Sequence, residues 1–204
     1  NGFSYNVGLN VTAMKNRVTD LMEDIYYEWG GGNGIDKSIV GQPLGSWMGY
    51  RTDGVFRTQE EVDAYKEKYK VSFGNPAVGR VRYVDTNNDG EINDRDRTWL
   101  GCDLPKAQFG LNLGANWKGF DLSLFFNSII RDAWNNSKFY TDFFPLWTGN
   151  HGTQLLEAAN AYDSYLQTGY YGADVPAPSI DNSNNENESS DYYIEDGSFL
   201  RLKT

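Results

Sequence analysis

The sequence predicts an all-β fold of antiparallel strands joined by long loops that carry short helical insertions. Three observations predict it. Four segments alternate apolar and polar residues with the period of a half-buried β-strand. The connections between these segments are long, tight and long in turn. Aromatic residues make up 15% of the 204 residues although the mean hydropathy is only −0.62, a combination that suits β-structure with polar loops.

The alternation defines each strand in turn. The predicted strands lie at about 3–13, 107–117, 119–130 and 197–204. In the first strand every odd residue is apolar and every even residue is polar or Gly. Lys118 and Gly119 form a two-residue turn that predicts a hairpin of the second and third strands. In the fourth, Leu200 and Leu202 alternate with charged residues.

The spacing of the strands indicates where such a sheet belongs. Loops at about 14–106 and 131–196 flank the tight turn. Long external loops and short periplasmic turns are typical of outer-membrane β-barrels, whose strands present apolar residues to lipid and polar residues to the lumen. The sequence therefore predicts a fragment of an antiparallel outer-membrane β-barrel. Both ends fall in strand patterns, so we expect a longer parent chain. Periodicity alone leaves open a half-buried sheet in a soluble protein.

The loops contain recognisable local structure. The segment TQEE at 58–61 is a capping box that predicts a helix from Thr58 to about Lys70, with a packing role for its apolar face. A second helix is predicted near 153–167, with Leu155, Ala159, Tyr162 and Leu166 at helical spacing. The Asn, Ser and Glu-rich segment 181–191 is predicted to be mobile.

Composition excludes several classes of function. The formal net charge of −10 disfavours binding to nucleic acid and to anionic membrane surfaces. A single cysteine, Cys102, excludes an internal disulfide, and a single histidine, His151, excludes a multi-histidine metal centre. No pair of carboxylates or nucleophile with a supporting base stands out, so we expect no enzyme activity.

One motif has the spacing of a metal-binding loop. Residues 85–96 have the spacing of a calcium loop, D-x-N-x-D-G with an acid at the twelfth position. The candidate ligands are Asp85, Asn87, Asp89, Glu91 (through its carbonyl), Asn93 and Asp96. Gly90 allows the sharp turn, and Ile92 is expected to anchor the loop inward. The segment before Asp85 has a strand pattern, so this is no helix–loop–helix unit, and an Asx-rich turn with solvated carboxylates is the alternative.

An ordered set of short segments resembles the C-terminal third of the SusC/RagA family of TonB-linked outer-membrane transporters. The matching segments are KNRV at 15–18, GQPLGSWMGY at 41–50, RTDGVF at 51–56, EEV at 60–62, VRYVDTNNDG at 81–90, DRDR at 94–97, Leu100-Gly101, Pro105, GLNL at 110–113 with Phe120-Asp121, and EDGSFLRLK at 195–203. The resemblance covers nearly the whole chain except 131–190, where the family itself varies. One departure is Val78-Gly79-Arg80, where the family tends to have proline, glycine and aspartate.

The resemblance implies fold, function and partners together. Such proteins form barrels of about 22 strands with an N-terminal plug, and they import oligosaccharides or peptides with energy relayed by TonB. A SusD-like surface lipoprotein caps the barrel in the outer membrane. Residues 1–204 would be the C-terminal barrel segment, and the plug and TonB box would lie elsewhere.

Aromatic loop residues are candidates for contact with a ligand or with the lipoprotein partner: Trp47, Tyr50, Trp134, Tyr140 and Trp147. The alternative is that these rings hold the long loops together. Trp117 and Phe120 flank the short turn and are expected in a periplasmic aromatic girdle. The competing function is a soluble, calcium-stabilised carbohydrate-binding or adhesion module that folds alone.

Overall fold

A computed structural model describes residues 2–21, 25–27, 36–141, 156–177, 179 and 183–203. The strands are β1 Ser4–Thr12, β2 Ile25–Tyr27, β3 Asp36–Ile39, β4 Ser46–Gly49, β5 Thr52–Val55, β6 Lys70–Val71, β7 Val81–Tyr83, β8 Glu91–Ile92, β9 Thr98–Cys102, β10 Ala107–Trp117, β11 Phe120–Ile130, β12 Asp132–Trp134, β13 Ile194–Asp196 and β14 Phe199–Lys203. The helices are α1 Gln59–Lys68, α2 Asn136–Thr141 and α3 Leu156–Thr168. Within the described residues, no helix is long and apolar enough to cross a membrane.

The four longest alternating segments form one antiparallel sheet, which we call the wall sheet, with the strand order β1-β10-β11-β14. β10 and β11 pair as a hairpin from Ala107↔Ile130 to Trp117↔Phe120. Lys118 and Gly119 join them with φ values of 50° and 86°. Positive φ at both central residues is the type I′ geometry whose twist matches that of paired strands, so the local sequence positions this hairpin.

The two faces of the wall sheet differ in chemistry. On one face the register aligns apolar residues across strands, as in Val7↔Leu113 and Leu113↔Leu124. On the other it aligns polar or small residues, as in Asn6↔Gly114. The apolar face is open: Val7 is 61% exposed and Leu200 is 70% exposed. An all-β barrel fragment fits this sheet, whereas a self-contained soluble sheet would bury those side chains.

The hydrophobic core lies in the connections and not under the wall sheet. We call the elements from β4 to β9, with segments 171–177 and 183–193, the loop unit. One cluster of buried residues forms its core: Tyr50, Val55, Phe56, Val62, Tyr65, Phe73, Val78, Val81, Tyr83, Ile92, Tyr171, Ala173 and Ala177. The prediction of long loops with short helical insertions therefore understates this region, which packs short strands and a helix around a core of its own.

Helix α1 begins at the predicted cap. The hydroxyl of Thr58 accepts a hydrogen bond from the Glu61 amide at 3.4 Å. The Glu61 carboxylate accepts one from the amide of Arg57, the residue before the cap, at 2.8 Å. Val62 and Tyr65 are buried, which confirms the predicted packing role. The helix ends at Lys68, two residues earlier than predicted, because β6 begins at Lys70.

Helix α3 lies close to the predicted range of 153–167. Ala158 is buried, and Ala161 and Tyr165 pack against the core cluster. Tyr162 and Leu166, two of the residues at helical spacing, are exposed. The helix carries two neighbouring apolar stripes, and spacing alone cannot tell which one the core covers. Residue 155 lies outside the described residues.

The prediction that 181–191 is mobile is wrong for its described part, from residue 183 onward. Asn184, Glu186, Ser189 and Ser190 are buried. The amide of Tyr50 donates to the carbonyl of Ser189 at 2.9 Å, and the amide of Asp191 donates to the carbonyl of Tyr50 at 3.0 Å. This segment lies within the loop unit. It has few apolar side chains, and backbone hydrogen bonds hold it in place.

A short ribbon joins the wall sheet to the loop unit. β12 and β13 pair from Asp132↔Asp196, and β11 and β14 pair up to Ile129↔Phe199, so one register runs through both pairs. At the break, the amide of Gly197 donates to the carbonyl of Arg131 at 3.0 Å. The amide of Arg131 donates to the hydroxyl of Ser198 at 3.2 Å. Hydrogen bonds thus continue from one strand pair to the other across the break.

Candidate functional site

The predicted calcium loop begins where β7 ends, and side-chain oxygens close it onto its own backbone. Asp85 accepts hydrogen bonds from the amides of Asp89 at 3.3 Å and Gly90 at 2.9 Å. Asn87 accepts one from the amide of Asp89 at 2.8 Å, and Asp89 accepts one from the amide of Glu91 at 2.8 Å. The sharp turn uses positive φ at Gly90, 80°. These are successive Asx-type turns, as the Asp and Asn content favours.

Asp96, the twelfth residue of the loop, is fully buried. One carboxylate oxygen accepts from the amide of Thr86 at 2.9 Å, and the other accepts from the amide of Asn93 at 2.9 Å. The Thr86 hydroxyl donates back to the carbonyl of Asp96 at 2.8 Å. Asp96 therefore ties the start of the loop to its end, and the shorter Asp fits here because its partners are backbone amides.

Calcium binding stays a prediction. Each carboxylate oxygen of Asp85 and Asp96 accepts one amide and keeps a lone pair, so the donor chemistry is suitable for a hard cation. In the part of the chain that the structure describes, however, no three His, Cys, Asp or Glu side chains are grouped so as to hold a metal ion. Ile92 is fully buried, which confirms its inward position.

The predicted contact aromatics lie in packed positions. Trp47 is 3% exposed and Tyr50 is 1% exposed, so neither ring offers a face to a ligand. The Trp47 and Trp134 ring centroids are 6.0 Å apart, and Trp134 stacks on Tyr193 at 5.2 Å. This geometry favours the alternative that these rings hold the loops together. Trp147 and the side chain of Tyr140 lie outside the described residues.

Tyr50 links the loop 85–96 to the second long connection. Its hydroxyl donates to the carboxylate of Asp94 at 2.9 Å and accepts from the Nε of Arg97 at 3.1 Å. Arg97 also pairs with Glu188 at 3.1 Å. Burial raises the pKa of the Tyr50 hydroxyl, so it remains a neutral donor at any physiological pH.

Sequence reasoning missed the side chains that join the two connections. Asp191 accepts from the amide of Thr52 at 2.8 Å and from its hydroxyl at 2.6 Å, and it pairs with Arg51 at 3.4 Å. The guanidinium of Arg57 donates to the carbonyls of Tyr171 and Ala173. These partners are more than a hundred residues apart, so no local pattern points to them.

Glu186 is a second missed residue. Its carboxylate is buried, accepts from the amide of Val81 at 3.3 Å and from the Asn184 amide group at 2.9 Å, and lies 3.6 Å from the Arg80 guanidinium. Burial raises the pKa of this carboxyl, and Arg80 opposes the rise. A charged residue in a polar, Asn-rich run gives no sequence signal of burial.

The polar face of the wall sheet offers a surface to solutes. A depression of about 390 Å³ is lined there by Asn6, Asn112, Asn116, Asp121 and Ser123. A Cβ at Gly114 would collide with the Asn6 side chain, so the glycine lets an amide group lie across the sheet. Amide and hydroxyl groups that remain in water suit a wet wall rather than a packed core.

Comparisons with known proteins agree on one class. No protein-family model matches the chain. TonB-dependent receptor P26 of Formosa agariphila is 29% identical over 99% of the chain, and TonB-dependent receptor P3 of the same organism is 26% identical over 98%. The solved structure of the RagAB peptide transporter matches 98% of the chain with a TM-score of 0.64 and 19% identity. The chain spans about one fifth of the length of each.

Proposed function

We propose that this chain is a segment of a SusC/RagA-like TonB-dependent receptor, which it resembles over nearly its whole length, and that the whole protein imports a nutrient across the outer membrane. The chain would supply part of the barrel wall and two connections outside the cell. The relatives are named as receptors and as a transporter, which supports at the level of class the expectation that the protein is not an enzyme.

The observation that carries the proposal is the two-faced wall sheet. Nine residues of β1 span about 30 Å along the strand. At a tilt of about 40° they cross about 23 Å, close to the height of the apolar band of outer-membrane barrels. Lipid would cover the exposed apolar face, and a watery lumen would accept the face with Asn6 and Asn112. The competing soluble module would expose this long apolar face to water, which soluble proteins rarely do.

The substrate and the partners follow from the resemblance. Family members take oligosaccharides or peptides, and the RagAB structure is that of a peptide transporter, so we propose one of these two classes as cargo. A SusD-like surface lipoprotein would cap the barrel, and TonB would supply energy through the plug region.

Gene deletion tests the proposal. A host strain that lacks the whole receptor should lose growth on one oligosaccharide or peptide mixture, and a strain that lacks TonB should show the same loss. Restoring the intact gene should restore growth. Unchanged uptake of every nutrient in the deletion strain, or recovery of the receptor in the soluble fraction, would contradict it.

We also propose that Ca²⁺ binds the loop 85–96, on the strength of the motif spacing. A bound ion at about 100 times its dissociation constant stabilises the folded state by about 2.7 kcal/mol. Calcium should therefore raise the melting temperature of the whole receptor, and Asp85→Ala should abolish the rise while Asp53→Ala should keep it. A rise that is equal in all three proteins, or absent from wild type, removes the metal from the proposal.

A further inference from the structure

The polar face of the wall sheet carries more positive than negative charge. Its four strands contain one acidic residue, Asp121, and two basic residues, Arg201 and Lys203. The whole chain has the reverse balance, with 28 acidic and 18 basic residues. Asp121 lies beside the tight turn, where the amide group of Asn116 donates to its carboxylate. In the described part of the chain, Arg201 and Lys203 form no ion pair. The part of this face farther from the turn is therefore positive.

Strand pairing places the two cations on the same face as an aromatic ring and several amides. Residues paired directly across antiparallel strands project to the same side of a sheet. Two rows of paired residues result, which we call the basic rows: Lys203, Phe125 and Asn112 in the first, and Arg201, Asn127, Gly110 and Asn10 in the second. Each row thus begins with a cation on β14 and continues across the sheet with groups that carry no charge.

The ring of Phe125 forms an apolar surface among these amides. It is half-buried, and a Cβ at Gly110 would lie 3.5 Å from its Cε2 atom, so the ring covers the glycine. The neighbouring side chains of Asn112 and Asn127 can each donate and accept hydrogen bonds. A sugar ring has an apolar face of C–H groups and a rim of hydroxyls. An aromatic surface bordered by amides is complementary to both.

The positions of the two cations favour an anionic ligand. The guanidinium carbon of Arg201 lies 4.2 Å from the centroid of the Phe199 ring, a cation–π contact that holds it on this face. Lys203 follows two residues later, about 7 Å along the strand. In a lumen with walls of low dielectric constant, such charges attract anions more strongly than they do in open water. A neutral sugar would leave both cations without a partner.

We propose that the basic rows bind an oligosaccharide that carries carboxylates. Phe125 contacts the apolar face of one sugar ring, Asn112 and Asn127 bond to its hydroxyls, and Arg201 and Lys203 pair with carboxylates. The proposal rests on the proposed function, because this face meets cargo only if it lines the lumen. It narrows the cargo to acidic oligosaccharides.

The test measures binding of defined probes to the purified whole receptor by calorimetry. The probes are oligomers of galacturonic, glucuronic and mannuronic acid, the neutral methyl ester of each, and a peptide rich in glutamate. Wild-type receptor should bind at least one acidic oligomer about tenfold more tightly than its ester, which removes the charge and keeps the ring. High salt should reduce this preference, because it screens the charges.

Variants separate the charges from the ring. Arg201→Gln and Lys203→Gln should each weaken binding of the acidic oligomer about tenfold and change binding of the ester less than about twofold. Arg201→Lys keeps the charge and should recover most of the affinity. Lys66→Gln removes the same charge from an exposed position on α1 and is the control, with an expected change below about twofold. Phe125→Leu should weaken acid and ester alike, because it removes the aromatic surface and no charge.

Three outcomes overturn the inference. The first is that wild-type receptor binds each acidic oligomer no better than its ester. The second is tighter binding of the glutamate-rich peptide than of any sugar, which makes the basic rows a peptide site. The third is an equal loss from Lys66→Gln and Arg201→Gln, which assigns the preference to the net charge of the receptor. With any of these, a deletion strain that still loses growth on a nutrient keeps the import proposal intact.

Discussion

The wall sheet exposes its large apolar side chains, whereas the loop unit buries them. In the wall sheet the large apolar residues point outward, and Val7, Leu9 and Leu122 are exposed. In the loop unit they point inward, and Tyr50, Phe56 and Ile92 are fully buried.

The difference teaches where each region obtains its stability. Under the proposed function, lipid would cover the exposed apolar face of the wall sheet, and neighbouring strands would pair with the backbone groups at its two edges. The loop unit depends on its own packing and on polar contacts between distant segments. In the described part of the chain every buried side-chain nitrogen and oxygen has a hydrogen-bond partner, as a polar-rich core requires.

The largest expected effect comes from truncating the core of the loop unit. Phe56→Ala should destabilise that unit by about 3–5 kcal/mol, the usual loss for a buried aromatic. Hydrogen exchange of the whole receptor in lipid should show fast exchange across α1 and β5 with the wall sheet unchanged. Leu200→Ala, at an exposed wall position, is the control and should leave loop protection intact. Equal effects of both changes would erase the distinction between the regions.

A charge on the apolar face of the wall sheet should have the next largest effect. Val7→Arg should destabilise the receptor in lipid vesicles by about 2–4 kcal/mol, measured by denaturant unfolding, because lipid cannot solvate the guanidinium. Asn10→Arg, on the opposite face, should have little effect if that face meets water. A larger loss for Asn10→Arg than for Val7→Arg would mean that the faces are assigned the wrong way round.

Removing the Asp191 carboxylate should open the contact between the two connections. Asp191→Ala leaves the Thr52 amide without its acceptor, at about 1–3 kcal/mol. The exchange rate of that amide should rise, while Asp196→Ala, an exposed position, should not change it. Retained protection at Thr52 would show that backbone pairing alone holds segment 183–193.

The smallest expected effect is a dependence on pH. The pKa of the Glu186 carboxyl is raised above its usual value of 4.5 by burial. The stability that this group contributes is therefore fully present below about pH 4.5 and is lost as the pH rises through the raised pKa. Glu186→Gln should flatten this slope in the exchange of the Val81 amide, corrected for intrinsic rates, and Glu67→Gln should not. A slope that survives Glu186→Gln would assign it to another group.

Local sequence patterns predicted the elements whose structure depends on residues close together in the chain. The period-2 alternation predicts strands at 3–13, 107–117, 119–130 and 197–204, and the structure has strands at Ser4–Thr12, Ala107–Trp117, Phe120–Ile130 and Phe199–Lys203. Lys118 and Gly119 determine their turn through two positive φ angles, and Thr58 determines the start of α1. The ordered family segments then placed these strands in a barrel.

Interactions between distant residues account for what the sequence did not predict. Segment 183–193 is polar, and its burial depends on Tyr50, Thr52 and Val81, which lie in the other connection. The core that α3 meets determines which face of the helix packs, and the spacing of its apolar residues does not reveal that face. The loop 85–96 stands out in the sequence because its spacing is a motif; calcium binding there stays a prediction, and what the structure shows is that Asp85 and Asp96 close the loop by accepting hydrogen bonds from backbone amides.

The ribbon between Ile129 and Trp134 couples the wall sheet to the loop unit. One register runs from Phe199 to Ile194 along the partner strand, so the pairing passes from the wall sheet into the loop unit without a shift. At its far end the Trp134 ring stacks on Tyr193 at 5.2 Å and lies 6.0 Å from the ring of Trp47 in β4. The two regions therefore cannot move independently at this junction without breaking ladder hydrogen bonds or these ring contacts.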